Sequence, residues 1–388
     1  MEGMGLKAHP DEEAARKKIY PPLIDLAPFA STTSTTTTTT TTTTQQQVAL
    51  QVQRACIEVG FFQVRSPSLS QHVIDEGFQA TRDFFNLPLA VKQSASAFNS
   101  PLFRGYQGSD SDSHSCTPEE APTTSTPTAT PNQKDLKESF TIGAEGHHSS
   151  MHGPNNWPTT VSKQHTLLLR SIQSRLQQYQ HTMMNVALET AQALALSLGL
   201  PLDFFSTNMS HAVAQMVLLK YPPPLVANAR PGCSAHKDCG FLTLLVQEHS
   251  QGGLEIYSDH NQEWINVPQL DACVLINLGD LASEWTNHYY KSTLHRVNNS
   301  KLTRDRHSVP FFCNLNYDAL VDPNELCAQS TLSEVVAGIK QGHDEPGSGF
   351  MKKITAGDYI CQKLGLMHDN GKGEGEVEGG GEEEERRV

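Results

Sequence analysis

Residues 210–320 contain seven short runs of β-branched, aromatic and aliphatic residues, and their spacing constrains the fold more than any other feature of the chain. Glycine, asparagine, aspartate or proline separates the runs, as turns between strands require. Seven strands within about 110 residues indicate a sandwich or jelly roll rather than a βαβ sheet. The runs are VAQMVLLKY, FLTLLV, LEIY, WINV, CVLINL, TLHRV and SVPFFCNL.

A long helix precedes this strand region. From Thr160 to Leu198 apolar side chains recur every three or four residues, the period that places them on one face of a helix. Gly199 and Pro201 end it. A helix of this length packed on a jelly roll forms one compact unit rather than two independent domains. The apolar positions are Leu168, Ile172, Leu176, Tyr179, Met183, Ala187, Ala191 and Leu194.

The N-terminal part combines short strands with further helices. The run YPPLIDL near residue 20 predicts a first strand, and residues 48–59 predict a helix followed by the strand GFFQV. Residues 70–85 predict a second helix. The expected fold class is therefore mainly β with flanking helices: a double-stranded β-helix (jelly roll) with a helical N-terminal region.

Three segments lack the apolar residues that a core needs. Residues 31–47 are Thr, Ser and Gln, residues 109–131 are mostly Ser, Thr, Pro and acidic residues, and the C-terminal end is rich in Gly and Glu. We interpret them as two disordered insertions and a disordered tail. The expected divisions are an N-terminal region (18–160), a long helical segment (161–205), a jelly-roll core (210–320), a C-terminal helical segment (321–369) and an acidic tail (370–388).

The charge of the chain argues against a nucleic-acid-binding protein. The formal net charge is −13, of which the residues from Gly371 to Val388 contribute −4. Phosphate contacts need clustered positive charge, so we expect no nucleic-acid partner.

Membrane insertion and secretion are also excluded by the sequence pattern. No run approaches 18 consecutive apolar residues, and the first 20 residues lack the apolar stretch of a secretion signal. The eight cysteines are scattered, with no pair spaced as a zinc knuckle or a redox CxxC. We therefore expect reduced thiols and a cytoplasmic protein without a membrane partner.

The segment SAHKDCGFLTLL places His236 and Asp238 two residues apart. Residues two apart in an extended segment point the same way, so the imidazole and the carboxylate converge. His295, in STLHRV, is the natural third ligand from a distant strand. Two histidines and one carboxylate form the facial triad of non-haem iron(II) oxygenases, which leaves coordination positions open. Because the chain has 17 histidines, an HxD pair alone carries little weight.

A second pair of polar residues follows on the next predicted strand. Arg306 and Ser308, in RHSVPFF, share one strand face. A buried guanidinium is unfavourable unless it is paired, and its planar fork suits a carboxylate. Tyr221, at the end of VAQMVLLKY, offers a hydroxyl to the same anion.

The segments HKD, STLHRV and RHS occur along the chain together with LKYPPP, GGLEIY, WINVP and INLGDL. Together they resemble the iron(II)- and 2-oxoglutarate-dependent dioxygenases of the isopenicillin N synthase-like family, which includes plant flavonoid, gibberellin and ethylene-forming enzymes. The resemblance extends to the N-terminal segments YPPLIDLAPF, ACIEVGFFQV, FRGYQG and KESFTIG. These segments are specific for the family and only weakly specific for a substrate.

The resemblance implies a role for each candidate site residue. His236, Asp238 and His295 are the implied iron(II) ligands and catalytic centre. Arg306 and Ser308 are the implied binders of the distal carboxylate of 2-oxoglutarate, with Tyr221 assisting. The implied enzyme uses dioxygen, with ascorbate as an optional reductant, and converts 2-oxoglutarate to succinate and CO2. It would hydroxylate, desaturate or cyclise a small organic molecule and act as a monomer.

One residue near the implied 2-oxoglutarate site departs from the family pattern. Many members have an asparagine two residues before the tyrosine, where this chain has Leu219. The alternatives are a 2-oxoglutarate-independent non-haem iron oxidase of the same fold and a non-catalytic jelly-roll binder of small molecules. The substrate would be selected by the N-terminal loops, the strand faces and residues 332–364, and the sequence does not identify it.

Overall fold

The computed structural model describes residues 20–30, 42–109, 135–160, 162–224, 231–249, 253–341 and 351–366. The helices in these ranges are α1 (Thr43–Glu58), α2 (Gln71–Phe85), α3 (Leu89–Gln93), α4 (Lys163–Ser197), α5 (Asp280–Trp285), α6 (Pro323–Gln329), α7 (Ser333–Gln341) and α8 (Ala356–Lys363). The strands are β1 (Leu23–Asp25), β2 (Phe61–Arg65), β3 (Gly105–Gln107), β4 (Glu138–Gly143), β5 (Ala212–Tyr221), β6 (Cys233–His236), β7 (Leu242–Gln247), β8 (Leu254–Ser258), β9 (Glu263–Asn266), β10 (Val274–Leu278), β11 (His295–Val297), β12 (Arg306–Asn316), β13 (Leu320–Val321) and β14 (Ile354–Thr355).

Strands β5 to β12 form a double-stranded β-helix. The larger sheet has the order β1-β2-β10-β7-β12-β5-β4-β3, and the smaller sheet has the order β6-β11-β8-β9. Pairing is antiparallel throughout both sheets except between β1 and β2. The chain passes back and forth between the sheets from β5 to β12, which is the jelly-roll topology that the strand spacing predicts.

The larger sheet has one face toward the helices and one toward the smaller sheet. On β5, Met216 and Leu218 are fully buried on the helical side, whereas Val217 and Leu219 are half-buried on the inner side. Strand β10 is buried on both faces, which explains why four of the five residues of its sequence VLINL are apolar. The inner face is where polar side chains of the site can gather.

Helix α4 covers the outer face of the larger sheet together with α1 and α2. Its side chain Tyr179 is buried, and its hydroxyl donates to the carbonyl of Val309 on β12 at 3.3 Å. Gly77 of α2 packs directly on the Tyr179 ring, since a Cβ there would lie 2.5 Å from it. The long helix is thereby fixed to the sheet that carries the site.

The seven strands predicted within 210–320, the two predicted N-terminal strands and the three predicted helices are present, and the predicted fold class is confirmed. The sequence did not predict β6 as a separate strand, because its residues CSAH show no apolar pattern and lie at the edge of the smaller sheet. The short β13–β14 pair within 321–369 was also missed.

One boundary of the first insertion needs correction. Residues 43–47, within the predicted disordered segment 31–47, are helical. Thr42 and Gln45 form a capping box that starts α1 there, and the buried Val48 and Val52 hold the helix on the core. Residues 31–41, residues 110–131 of the second insertion and the tail 370–388 lie outside the described residues.

Membrane insertion receives no support from the helices in the described ranges, since none of them is both long and apolar enough to cross a bilayer.

Candidate metal and anion site

Three potential metal ligands converge where β6 and β11 pair. His236 ends β6 and lies directly opposite His295, the first residue of β11. Asp238 follows β6 by two residues, and its Oδ1 lies 3.7 Å from Nε2 of each histidine. One ligand atom from each residue can be chosen so that all three lie within 4.8 Å of one another. The predicted triad is therefore brought together.

Both histidines present the same nitrogen to the centre of the triad. Nδ1 of His236 lies 2.8 Å from the carbonyl oxygen of Ser234, and Nδ1 of His295 lies 3.0 Å from that of Thr293. A carbonyl only accepts, so each Nδ1 carries a proton and donates, and each Nε2 is the nitrogen that faces the centre of the triad. The ring orientation that a metal needs is thus set by the backbone.

The carboxylate of Asp238 is held in the same way by its other oxygen. Oδ2 accepts from Thr243 Oγ1 at 2.6 Å and from Asn277 Nδ2 at 2.7 Å, which leaves Oδ1 facing the histidines. Sequence reasoning missed Thr243 and Asn277. The signal was present, because each is a polar residue inside an apolar strand, and buried polar groups need partners.

Burial and mutual charge decide the protonation of the triad. Burial lowers the pKa of His295 to about 4, which keeps this imidazole neutral and able to bind a cation. Burial opposes the charge on Asp238, but His295 and His236 lower the pKa of its carboxyl. Burial likewise opposes protonation of His236, but Cys233 and Asp238 raise its pKa to about 10. A metal ion entering the site displaces that proton.

The predicted anion site lies on the inner face of the larger sheet. Arg306 on β12 is directly opposite Tyr221 on β5, and the guanidinium carbon lies 5.1 Å from the tyrosine ring centroid. Arg306 is 1% exposed, and its Nε and Nη1 have no hydrogen-bond partner among the described residues. Ser308, also buried, lies two residues further on the same face. A buried guanidinium with two unpaired nitrogens fits an organic carboxylate.

Two neighbours of Ser308 bear on the departure from the family pattern. Leu219 is directly opposite Ser308 on β5, so an apolar side chain flanks the serine on that side. On the other side Ser308 is opposite Gln247 of β7, whose Oε1 accepts from Arg306 Nη2. Gln247 was not identified from the sequence, although it too is a buried polar residue in an apolar strand.

An apolar cluster closes the site between the two sheets. Phe61 of β2 meets the His295 ring edge-on at 5.4 Å, and Ile256 is directly opposite His295 on β8. The remaining members are Val59, Leu254, Ile265, Val267 and Leu275. His236 is the more open ligand, with 25% of its side chain exposed, so the site opens on that side. Two nitrogens and one oxygen on one side leave positions free for other ligands of the metal.

Two family models match the chain over most of this architecture. Residues 21–160 match the N-terminal region described as that of a non-haem dioxygenase in morphine synthesis. Residues 212–315 match the 2OG-Fe(II) oxygenase superfamily.

Named relatives and solved structures agree with these matches. The chain is 30% identical over 303 residues to the 2-oxoglutarate-dependent dioxygenase traH of Penicillium crustosum, covering 76% of this chain and 88% of that protein. It is 28% identical to a homoarginine-6-hydroxylase of Oryza sativa subsp. japonica, covering 88% and 96%.

The same fold occurs in a full-length Neurospora crassa protein crystallised with alpha-KG, at a TM-score of 0.67 and 23% identity, covering 89% of this chain and 95% of that chain. A further structure of that protein contains thymine as well. The sequence matches and the convergent triad lead to one conclusion: the chain belongs to the 2OG-Fe(II) oxygenase superfamily and is a 2-oxoglutarate-dependent dioxygenase.

Proposed function

We propose that the protein oxidises a small organic molecule at iron(II) held by His236, Asp238 and His295. The observation that carries the proposal is that three ligand atoms within 4.8 Å share the jelly-roll interior with a buried arginine that has two unpaired nitrogens. Iron bound there supplies the redox chemistry by which dioxygen converts 2-oxoglutarate to succinate and CO2 while the substrate is oxidised.

The protein residues bind, orient and exclude water. In this proposal Nε2 of both histidines and Oδ1 of Asp238 hold the iron, because backbone carbonyls and strand side chains occupy their other polar atoms. Arg306 binds the distal carboxylate of 2-oxoglutarate through N–H groups that have no partner in the described residues, and the hydroxyls of Ser308 and Tyr221 contribute to the same site. The apolar cluster around Phe61 keeps water from one side of the metal.

We propose that the inner face of β4, β5 and β12 selects the substrate. Phe312 of β12 is directly opposite Gln215 of β5 on one side and Thr243 of β7 on the other. Thr243 supports Asp238, so the Phe312 ring and the Gln215 amide extend the same row away from the metal. Thr141 of β4 lies on the same face, and the side chains of Phe312, Gln215 and Thr141 are half-buried. They offer an aromatic surface and uncharged hydrogen-bonding groups.

The named relatives favour hydroxylation of a small molecule. The rice relative is called a homoarginine-6-hydroxylase, and the second Neurospora crassa structure contains thymine. These are chemically different compounds, so the inner face of β4, β5 and β12 rather than the metal site would decide the substrate. We further propose a cytoplasmic monomer that does not bind nucleic acid, which size-exclusion chromatography and cell fractionation would test.

The primary experiment measures succinate production. Purified protein with iron(II), ascorbate and 2-oxoglutarate is incubated with a broad metabolite panel, next to His236→Ala under the same conditions. We expect succinate from the wild type in the presence of a substrate, together with a product that has gained one oxygen. Succinate no higher than with His236→Ala across the panel would contradict the proposal.

Binding of 2-oxoglutarate separates this function from the two alternatives. The named 2-oxoglutarate-dependent relatives and the intact triad do not favour either alternative. Under anaerobic conditions the iron-loaded wild type should bind 2-oxoglutarate, and Arg306→Ala should not. Iron binding without 2-oxoglutarate binding would indicate the 2-oxoglutarate-independent oxidase, whereas no stoichiometric iron would indicate the non-catalytic binder.

A further inference from the structure

We infer that Gln247 is the positioning residue that aims the Arg306 guanidinium at the distal carboxylate of 2-oxoglutarate; this rests on the proposed function of Arg306. Gln247 is the last residue of β7, is 4% exposed and accepts a hydrogen bond from Arg306 Nη2 through its Oε1. This contact occupies Nη2, whereas Nε and Nη1 remain buried without a partner among the described residues. The amide therefore accepts one N–H of the guanidinium and leaves the other N–H groups available to an anion.

The amide itself can point only one way. Its Nε2 donates to the carbonyl oxygen of Val267 at 2.8 Å, so its Oε1 faces the arginine. If the amide were reversed, its NH2 group would face the N–H donors of the guanidinium, and its oxygen would face the carbonyl oxygen of Val267. The backbone N–H of Gln247 donates to Gln269 Oε1 at 3.1 Å, which fixes the end of the strand. Gln247 is thus a preset acceptor rather than a side chain that adapts to Arg306.

Two other neighbours, Gly253 and Tyr221, also restrict the guanidinium of Arg306. Gly253 leaves room for it, because a Cβ at this position would lie 2.5 Å from Arg306 Nε. The Tyr221 ring packs against it at 5.1 Å. Ring and glycine contacts position the guanidinium plane, while a directed hydrogen bond at one nitrogen sets its rotation.

The neutrality of this residue is as important as its shape. An amide accepts a hydrogen bond without cancelling the arginine charge, so the charge remains available to a dicarboxylate. A carboxylate at position 247 would form a buried ion pair with Arg306 and compete with the ligand. The next residue, Glu248, is acidic, but its carboxylate bonds to His307 and Arg82 on the other side of the sheet. The Gln247 amide at the end of β7 therefore points inward, and the Glu248 carboxylate just after it points outward.

The test is calorimetric titration of 2-oxoglutarate into anaerobic protein loaded with manganese(II), which requires no turnover. We expect Gln247→Met, which removes the acceptor, to weaken binding roughly ten-fold. Gln247→Glu, which keeps the shape and adds a charge, should weaken it roughly a hundred-fold or more. Gln53→Met is the matched control, since this amide donates to the Ser197 carbonyl between α1 and α4, and its affinity should stay within about two-fold of wild type.

Selectivity among chain lengths separates positioning from general loss of structure. Oxaloacetate and 2-oxoadipate place the distal carboxylate closer to, or further from, the keto acid than 2-oxoglutarate does. We expect wild type to prefer 2-oxoglutarate and Gln247→Met to lose much of that preference. Equal weakening of all three acids, or wild-type affinity in both Gln247 variants, would overturn the inference while leaving the proposed function intact. Failure of wild type to bind 2-oxoglutarate would overturn both.

Discussion

The two oxygens of Asp238 have different partners. Oδ2 accepts from Thr243 and Asn277, and Oδ1 faces the histidines 3.7 Å away. A carboxylate without such support could rotate or turn both oxygens to other donors. The supporting hydroxyl and amide thus hold the Asp238 carboxylate in one orientation, with Oδ1 toward the histidines.

Removing the hydroxyl of Thr243 should weaken iron binding without unfolding the protein. Thr243→Val keeps the side-chain shape and removes one of the two hydrogen bonds to Oδ2. We expect iron(II) affinity to fall about 10–100-fold, measured anaerobically by competition with a chelator. Thr190→Val is the control, because that buried hydroxyl donates to the Val186 carbonyl within α4 and is remote from the metal. Unchanged iron affinity in Thr243→Val would show that Asp238 needs no such support.

At the scale of elements, the turn before β2 packs directly against the segment before β11. Gly60 has φ +71°, and a Cβ there would lie 2.5 Å from Thr293 Oγ1 and 2.6 Å from the Lys291 carbonyl oxygen. The Thr293 carbonyl in turn accepts from His295. The position of His295, one of the three proposed iron ligands, therefore depends on a glycine in a different element.

Gly60→Ala should disturb both stability and the metal site. The positive φ costs about 1–2 kcal/mol for a residue with a Cβ, and the close contacts add about 1–3 kcal/mol. Gly365→Ala is a matched control, since Gly365 also has a positive φ (+65°) but nothing within 4 Å of its Cβ position. We expect both variants to lower the free energy of unfolding and only Gly60→Ala to lower iron affinity. An equal loss of iron affinity in Gly60→Ala and Gly365→Ala would contradict the prediction that the contacts of Gly60 position His295.

A pH-dependent contact joins α2 and β12 through Glu248, the residue that follows β7. Glu248 accepts from Arg82 at 2.7 Å and from the backbone and Nδ1 of His307 at 3.0 Å each. Burial opposes its charge, but His307 and Arg82 lower its pKa to about 2. A carboxyl whose folded pKa lies below its unfolded value of about 4.3 stabilises the fold above that value.

The stabilisation from Glu248 should disappear in acid. Glu248→Gln should lower the free energy of unfolding by about 1–2 kcal/mol at neutral pH. The difference from wild type should stay constant down to about pH 5.5 and shrink as the pH falls through about 4.3 towards 2. Denaturant unfolding at several pH values measures this, with the exposed Asp271→Asn as control. If the difference in unfolding free energy between wild type and Glu248→Gln grew as the pH fell, the prediction would be contradicted.

At the scale of the whole molecule, one large sheet unites the N-terminal region with the jelly roll. Strands β1 to β4 flank β10 and β5 in the eight-stranded sheet, so the N-terminal region and the core share one sheet. Helix α8 completes the packing at the C-terminal end, with Tyr359 and Ile360 buried. The glutamate-rich sequence that follows has no apolar cluster to add to this core.

Deleting residues 371–388 should therefore leave the folded unit unchanged. The deletion removes −4 of the −13 net charge but no apolar cluster. We expect an unchanged melting temperature and unchanged 2-oxoglutarate affinity. Deletion of residues 356–388 is the contrasting variant, because it also removes α8 and should destabilise the protein. A loss of binding in the shorter deletion would reveal a function for the tail.

The sequence predicted the parts of the molecule that follow local rules. Strand spacing gave the jelly roll, the three-to-four-residue period gave α4, and the HxD and RxS pairs, with His295, gave five of the polar residues that the fold brings together. The metal and anion roles assigned to these residues remain predictions. Sequence reasoning missed β6, because backbone pairing with β11 rather than apolar patterning forms that strand. It missed Thr243, Asn277 and Gln247, because their importance depends on which distant residue each one faces.

The register of the larger sheet determines which side chains of β7 face the interior. Strand β7 carries Thr243, which supports the metal ligand, and Gln247, which contacts the arginine, four residues apart and on one face. A one-residue slip of β7 would turn both outward together. Among the described residues, neither Thr141 on β4 nor Gln215 on β5 makes a hydrogen bond to Asp238 or Arg306. Substitutions at Thr141 and Gln215 can therefore change the inner face of β4 and β5 while both contacts made by β7 stay in place.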